Sequence, residues 1–343
     1  MIHVGRCLGR GAVAATLVLA VACHDDTAPR PPAAAFDAAR ARAQIEPIAV
    51  VFDQSIFKSF NGALSFYENF FRSGVVLAPD VGAGPRSLAG RTAILAARIA
   101  ATRVPATAMG TTYVYDPETK TYVPDPDATG APAAGVRFVL YAWSDVSVGP
   151  ALPLTRIGYV DIAAVSLEGV SPRLTQVVVV RDAPMTRAAD FVTVHGSVDG
   201  VESFGISGTA TDGTTTVSVA LDGTYTGAPG NHQLTFNSTL SSGPGIGVHE
   251  TLTYDQVTVA QGGTLELTYD GHTLSDRGTP SRNDVTFDGG LYATVLPSNE
   301  PGGALAYLRP DGSPLPLEEI LDLTGLLQRA EVADFFWINL AWP

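Results

Sequence analysis

The 343-residue chain has only two cysteines, Cys7 and Cys23. Two thiols so placed build neither a disulfide framework nor a Cys-rich zinc site. Lysine is nearly absent too, limited to Lys58 and Lys120, and charged residues make up 16% of the chain. An average soluble domain carries about 25%. The formal charge is −13. That balance excludes nucleic-acid binding through phosphate contacts and leaves no basic patch for anionic lipid. A nucleophile elbow of the Gly-x-Ser-x-Gly type is missing. The nearest string, Gly205-Ile206-Ser207-Gly208-Thr209, lacks the last glycine. No phosphate loop or dinucleotide fingerprint occurs, and no cofactor is implied. His195, His232, His249 and His272 are scattered, without helical metal spacing, so no metal site is expected. Adjacent strands could still bring two of them beside Glu250. Asp125-Pro126-Asp127 is the densest local oxygen cluster but falls short of a calcium loop. A polysaccharide hydrolase needs two carboxylates across a cleft, and 34 acidic residues do not single out a pair.

What is present begins at the N-terminus. Arg6 and Arg10 precede Gly11–Ala22, a twelve-residue apolar segment. A membrane-spanning helix needs about 20 such residues, so this one is too short to serve as an anchor. The run Leu19-Ala20-Val21-Ala22-Cys23 closes it, with a small residue directly before the cysteine. This arrangement resembles the signal peptide and lipobox of bacterial lipoproteins. Ala20 stands where that family usually has Leu. The resemblance implies cleavage after residue 22 and acylation of Cys23. Two or three acyl chains give firm anchoring, where one is marginal. The mature chain would then hold neither a free thiol nor a disulfide, and its domain would rest on its core alone. His24 follows Cys23 where Asp would signal inner-membrane retention, so the resemblance implies the outer membrane.

Residues 24–35 (HDDTAPRPPAAA) read as a tether. In extended polyproline geometry, at about 3.1 Å per residue, it reaches roughly 35–40 Å. A single α+β domain is expected over 36–343. Within it, 36–104 reads as mainly helical. Ile48, Val51, Phe52, Ile56, Phe60 and Tyr67 form an apolar stripe, and Asn61-Gly62 is expected to end or kink the first helix. Leu88, Leu95 and Ile99 suggest a further helix before Pro105. Residues 110–308 read as antiparallel sheet. Tyr113-Val114-Tyr115 and Thr121-Tyr122-Val123 flank a hairpin turn. Val136–Trp143, Arg156–Val165 and Leu174–Arg181 follow. Then Val217, Val219 and Leu221, or Leu265, Leu267 and Tyr269, alternate with polar residues, as antiparallel strands with one wet face require. Asp-Gly pairs at 199, 212, 222, 270 and 288 signal tight turns, with a strand Thr214–Leu221 between two of them. Residues 315–343 read as a helix, Leu317 to Asp334, and a last strand through Phe336, Ile338, Leu340 and Trp342.

The expected fold is thus a large curled antiparallel β-meander, half-barrel-like, packed against N- and C-terminal helices. A β-sandwich with a separate helical module is the other architecture considered. The plan is similar to the half-barrel of lipoprotein-carrier proteins, in architecture alone. The segment Gly110–Tyr141 resembles stretches of uncharacterised envelope lipoproteins. Three functions are consistent with these features: a non-catalytic interaction or structural lipoprotein, a carrier of a lipid or other hydrophobic ligand, and an envelope polysaccharide hydrolase. For the carrier, Trp143, Phe336, Trp337 and Trp342 are the candidate ligand residues. The expected partners are the membrane, through the N-terminal lipid, and a hydrophobic ligand or envelope protein.

Overall fold

The Thr-rich alternation from Phe191 onward favours a string of antiparallel strands. In the computed structural model, residues 36–71, 106–147, 149–165, 173–226, 233–255, 260–279, 281–296 and 305–340 are described. The first strands are β1 (Thr111–Asp116), β2 (Thr121–Pro124), β3 (Gly135–Tyr141), β4 (Trp143–Ser144) and β5 (Gly149–Pro150). Next come β6 (Arg156–Ala164), β7 (Arg173–Arg181), β8 (Thr186–Val198), β9 (Val201–Thr211), β10 (Thr216–Thr226) and β11 (Gln233–Gly243). The series ends with β12 (Ile246–Asp255), β13 (Ala260–Tyr269), β14 (His272–Thr279), β15 (Arg282–Phe287), β16 (Gly290–Leu296) and β17 (Ala306–Leu308). The signal peptide, Cys23, the tether, the helix expected around Leu88–Ile99, His232 and Trp342 lie outside the described residues.

From β6 to β17 each strand pairs with the next, making an uninterrupted meander inside a 15-stranded sheet. The sheet does not close; β2 and β17 are its edges. One pair departs from the antiparallel expectation: β3 lies beside β1 in parallel, Tyr113 opposite Phe138. The β1–β2 hairpin forms as expected, with Asp116 opposite Thr121, and leaves β3 only the other side of β1.

The Asp-Gly pairs divide by what their glycine does. Asp199-Gly200, Asp270-Gly271 and Asp288-Gly289 are two-residue hairpin loops with positive φ at both residues. That is the type I′ geometry whose twist matches the strands. Asp212-Gly213 begins a longer turn, in which the Asp212 carboxylate accepts from the Thr214 and Thr215 amides. Asp222-Gly223 is not a turn. It lies inside β10, which runs Thr216–Thr226 instead of Thr214–Leu221.

Among the described residues three helices pack on one face of the sheet, here called the inner face. They are α1 (Ala38–Asp53), α2 (Ser55–Phe71) and α3 (Leu317–Leu340). The Asp37 carboxylate caps α1 by accepting from the Arg40 amide at 3.0 Å. Helix α1 crosses β10–β13, α2 packs over β2, β3 and β6, and α3 lies along α1. Arg329 pairs with both Glu46 and Asp53 across the α1–α3 seam. Ile45, Ile48, Phe57 and Phe60 share one continuous core with Phe138, Phe191, Phe236 and Leu267 of the sheet.

Two helix boundaries correct the sequence reading. The break between α1 and α2 falls at Gln54, not at Asn61-Gly62. Gln54 is extended, and its side chain accepts from Arg181 at 2.6 Å. Gly62 lies within α2, where a Cβ would come within 2.9 Å of the Trp143 ring. The glycine is thus a contact surface, not a terminator. At the chain end, α3 continues to Leu340, so Phe336, Ile338 and Leu340 are helical, not strand residues. The run Phe335-Phe336-Trp337-Ile338 is apolar at every position. It satisfies a period of two and a helical period equally, and packing of α3 along α1 decides between them.

Candidate functional site

Of the candidate ligand residues, Trp143 alone has a described side chain. Phe336 and Trp337 are placed on the last turns of α3, and Trp342 lies beyond the described residues. Trp143 is half-buried on the flank of α2. Its amide donates to Ser55 Oγ at 2.6 Å, and the Tyr141 amide donates to Ser59 Oγ at 3.0 Å. Ser55, Ser59 and Gly62 follow helical spacing, so small residues let α2 approach the strand end closely. Lys58, beside them, pairs with Asp145 at 3.1 Å.

The densest described group of reactive side chains lies where the chain enters the domain. Phe36 packs edge-on against Tyr292 and tilts against Phe287, with ring centroids 5.1 and 5.5 Å apart. His272 stands beside Phe287, and its Nδ1 donates to the Asp288 carboxylate at 2.8 Å. The Thr273 amide donates to the other Asp288 oxygen at 2.9 Å. These two contacts, the amide first, hold the Asp288 carboxyl below its ordinary value. Tyr269 is buried next to His272, and its hydroxyl has no hydrogen-bond partner among the described residues. Burial, then the nearby Asp288 and Asp37 carboxylates, push it up to about 12. Burial and a 2.9 Å hydrogen bond to Glu319 push Tyr292 up to about 12 as well. Arg40 closes the group by pairing with Asp270 at 2.8 Å.

A His–Asp pair with a neighbouring tyrosine has the parts of an acid–base relay, but its geometry here is that of a clasp. Asp288 occupies a hairpin loop with positive φ, the rings of Phe287 and Tyr292 pack against Phe36, and Arg40 ties α1 to the next loop. Among the described residues no three His, Cys, Asp or Glu side chains group to hold a metal. The clasp should show in acid. A carboxyl held below its ordinary 3.8 in the fold contributes stability above that pH, and the contribution fades as pH falls through the folded value. Asp288→Asn keeps a residue that tolerates positive φ. It is expected to lower the urea midpoint at neutral pH and to flatten its decline below pH 3.8. Urea melts of both forms from pH 7 to 3 check this.

A second polar group was not singled out by motif. On the inner face Ser238 stands opposite Glu250, Glu250 opposite Leu265, and Leu265 opposite Asp276. Thr193, also buried, lies in the same register on β8, beyond Leu221 and Ile206. Its signal was present in the alternation: Glu250 falls in phase with Val248 and Leu252, and Ser238 with Phe236 and Leu240. Glu250 and Asp276 are two strand spacings apart, about 10 Å along the sheet. They sit side by side in one wall, not across a cleft, and Glu250 is only 3% exposed. That arrangement offers a polymer substrate no opposed pair. His249 points the other way, its Nδ1 3.0 Å from Thr239 Oγ1. His195 lies four strands from Glu250. Among the described residues no two histidines come beside Glu250, the arrangement that the sequence leaves open.

Ser207, in the string nearest to a nucleophile elbow, is an exposed residue in the middle of β9, an extended strand without an elbow. The Asp125 carboxylate accepts from the Asp127 amide at 3.0 Å, ordinary loop closure. No helix among the described residues is long and apolar enough to cross a membrane. No protein-family model matches the chain, and no curated protein or solved structure matches it significantly.

Proposed function

We propose that this is a lipid-anchored cell-envelope protein, held through Cys23, whose sheet domain serves a non-catalytic binding or structural role. The observation that carries the anchor is the ordered series Arg6, Arg10, Gly11–Ala22, Cys23. Support for a non-catalytic role comes from the inner face. Phe57, Phe60, Phe191, Phe236 and Leu326 fill it as one core, and its carboxylates lie in one wall. A carrier would need the same space for its cargo. Cells fed an alkynyl palmitate analogue test the anchor. The wild-type protein is expected to incorporate the label and Cys23→Ala to incorporate none. An unlabelled wild type, or a labelled variant, overturns the reading. In a proteobacterial host, His24→Asp is expected to move the protein from outer- to inner-membrane fractions on a density gradient. An unchanged distribution removes the outer-membrane assignment.

A further inference from the structure

The strand directions sort every loop to one of two rims. The entry rim carries the β13–β14 and β15–β16 hairpins, beside which Phe36 and Arg40 bring the chain into the domain. The same rim carries the loops before β6 and after β7, because Gly158 at the start of β6 pairs with Arg181 at the end of β7. These loops and the β4–β5 turn beside them hold exposed apolar tips: Val146 at 98%, Leu152 at 68% and Met185 at 67% exposure. Pro153 and Pro184 flank two of these tips and are also exposed. We infer that the entry rim docks on the bilayer surface, with Val146, Leu152 and Met185 inserted among the lipid headgroups. This rests on the anchored reading above and adds an orientation to it.

Charge argues for these three tips over Val198. Every charge on their loops is already neutralised within the protein: Asp182 by Arg156 at 2.7 Å and Asp145 by Lys58 at 3.1 Å. Arg187, just beyond, pairs with Asp190. Pressing these loops into the interface therefore strands no lone charge. The opposite rim also shows apolar side chains, Val198 among them at 68%. There, Asp199 and Glu202 sit alongside with no ion-pair partner among the described residues. Unpaired carboxylates beside an apolar tip are repelled by a negatively charged leaflet and costly to dehydrate. Reach agrees as well. From β15, where the chain enters, to β8 is seven strand positions, an arc of about 34 Å at about 4.8 Å each. At about 3.1 Å per residue a twelve-residue extended segment reaches about 37 Å, so an anchor at Cys23 is compatible with docking at this rim. Three apolar tips without a basic patch predict binding that zwitterionic lipid supports and salt does not weaken.

The mature chain's only cysteine is the acylated one, so single thiols can be introduced cleanly. The full lipidated protein, carrying Leu152→Cys, Met185→Cys or Val198→Cys labelled with an environment-sensitive nitrobenzoxadiazole dye, is reconstituted in phosphatidylcholine vesicles. Shallow doxyl lipids serve as quenchers. Quenching at 152 and 185 is expected to exceed that at 198 by about threefold or more, as burial some 5–10 Å into the interface requires. About 0.5 M salt is expected to leave it unchanged. Intact mass is measured on the same samples. Acyl mass with equal quenching at all three sites, or with stronger quenching at 198, overturns the docking alone. A chain without acyl mass overturns the anchor and the docking together.

Discussion

Alanine in place of Phe57 is expected to destabilise the domain by about 4 kcal/mol, with one cooperative urea transition shifted to lower concentration. Phe57 is fully buried, and its ring meets Phe52 of α1 edge-on at 5.5 Å. It belongs to the core that the helices share with Phe138, Val160 and Val179 of the sheet. Removing a ring there leaves a void that close packing fills only in part. The outcome separates two functions. If α2 is an integral layer, sheet and helices melt together, the slope of the transition is unchanged, and no dye-binding surface opens in the native state. A carrier whose helices act as a displaceable lid would respond differently. Its sheet would survive the substitution, unfolding would split into two steps, and the native variant would bind an apolar dye such as anilinonaphthalene sulfonate. A single shifted transition without dye binding supports the filled-core reading; a split transition with dye binding replaces it with the carrier.

How far the sequence foretold this depends on whether a signal is local. Asp199-Gly200, Asp270-Gly271 and Asp288-Gly289 were legible as turns, because both residues accept positive φ and the flanking strands alternate cleanly. The same dipeptide at 222 misled, since there the glycine is used for its missing side chain. Gly62 misled for the same reason: the partner that needs the space, Trp143, is far away in sequence. Local pattern also said nothing of the parallel contact between β1 and β3, which is settled by which edge the β1–β2 hairpin leaves open. The C-terminal apolar run fitted two periods at once, and only packing along α1 chose between them. Among candidate sites, Cys23 is a linear signal and is read without any fold. The entry-rim clasp joins Phe36 to His272, Phe287 and Tyr292 across more than two hundred residues, so no window of sequence contains it. The Glu250 band was readable as polar residues in the apolar phase of their strands, a signal weaker than a motif but physical.

Gly223→Ala is the companion test, on the sheet instead of the helices, and is expected to cost about 3 kcal/mol. Gly223 lies opposite Phe204 on β9 and Phe236 on β11. The two rings stack 25° from parallel with centroids 6.5 Å apart, leaning over the strand between them. A Cβ on residue 223 would stand 2.1 Å from Phe204 Cζ and 2.6 Å from the Thr235 carbonyl oxygen. The ring can turn only by breaking its stack, and the carbonyl is fixed in the ladder, so the clash cannot be relieved cheaply. This is the device by which aromatic neighbours cover a strand glycine and restore the apolar surface it lacks. Gly243→Ala is the control, because nothing lies within 4 Å of a Cβ there and its φ is not positive. That change is expected to be neutral or stabilising by up to about 1 kcal/mol, through the unfolded chain alone. Phe204→Ala combined with Gly223→Ala is expected to cost less than the sum of the two, by about 1–3 kcal/mol, since losing the ring removes the clash and the added methyl fills part of the void. Equal shifts for Gly223→Ala and Gly243→Ala, or strict additivity in the double variant, would falsify the close-approach account and return Asp222-Gly223 to chain flexibility.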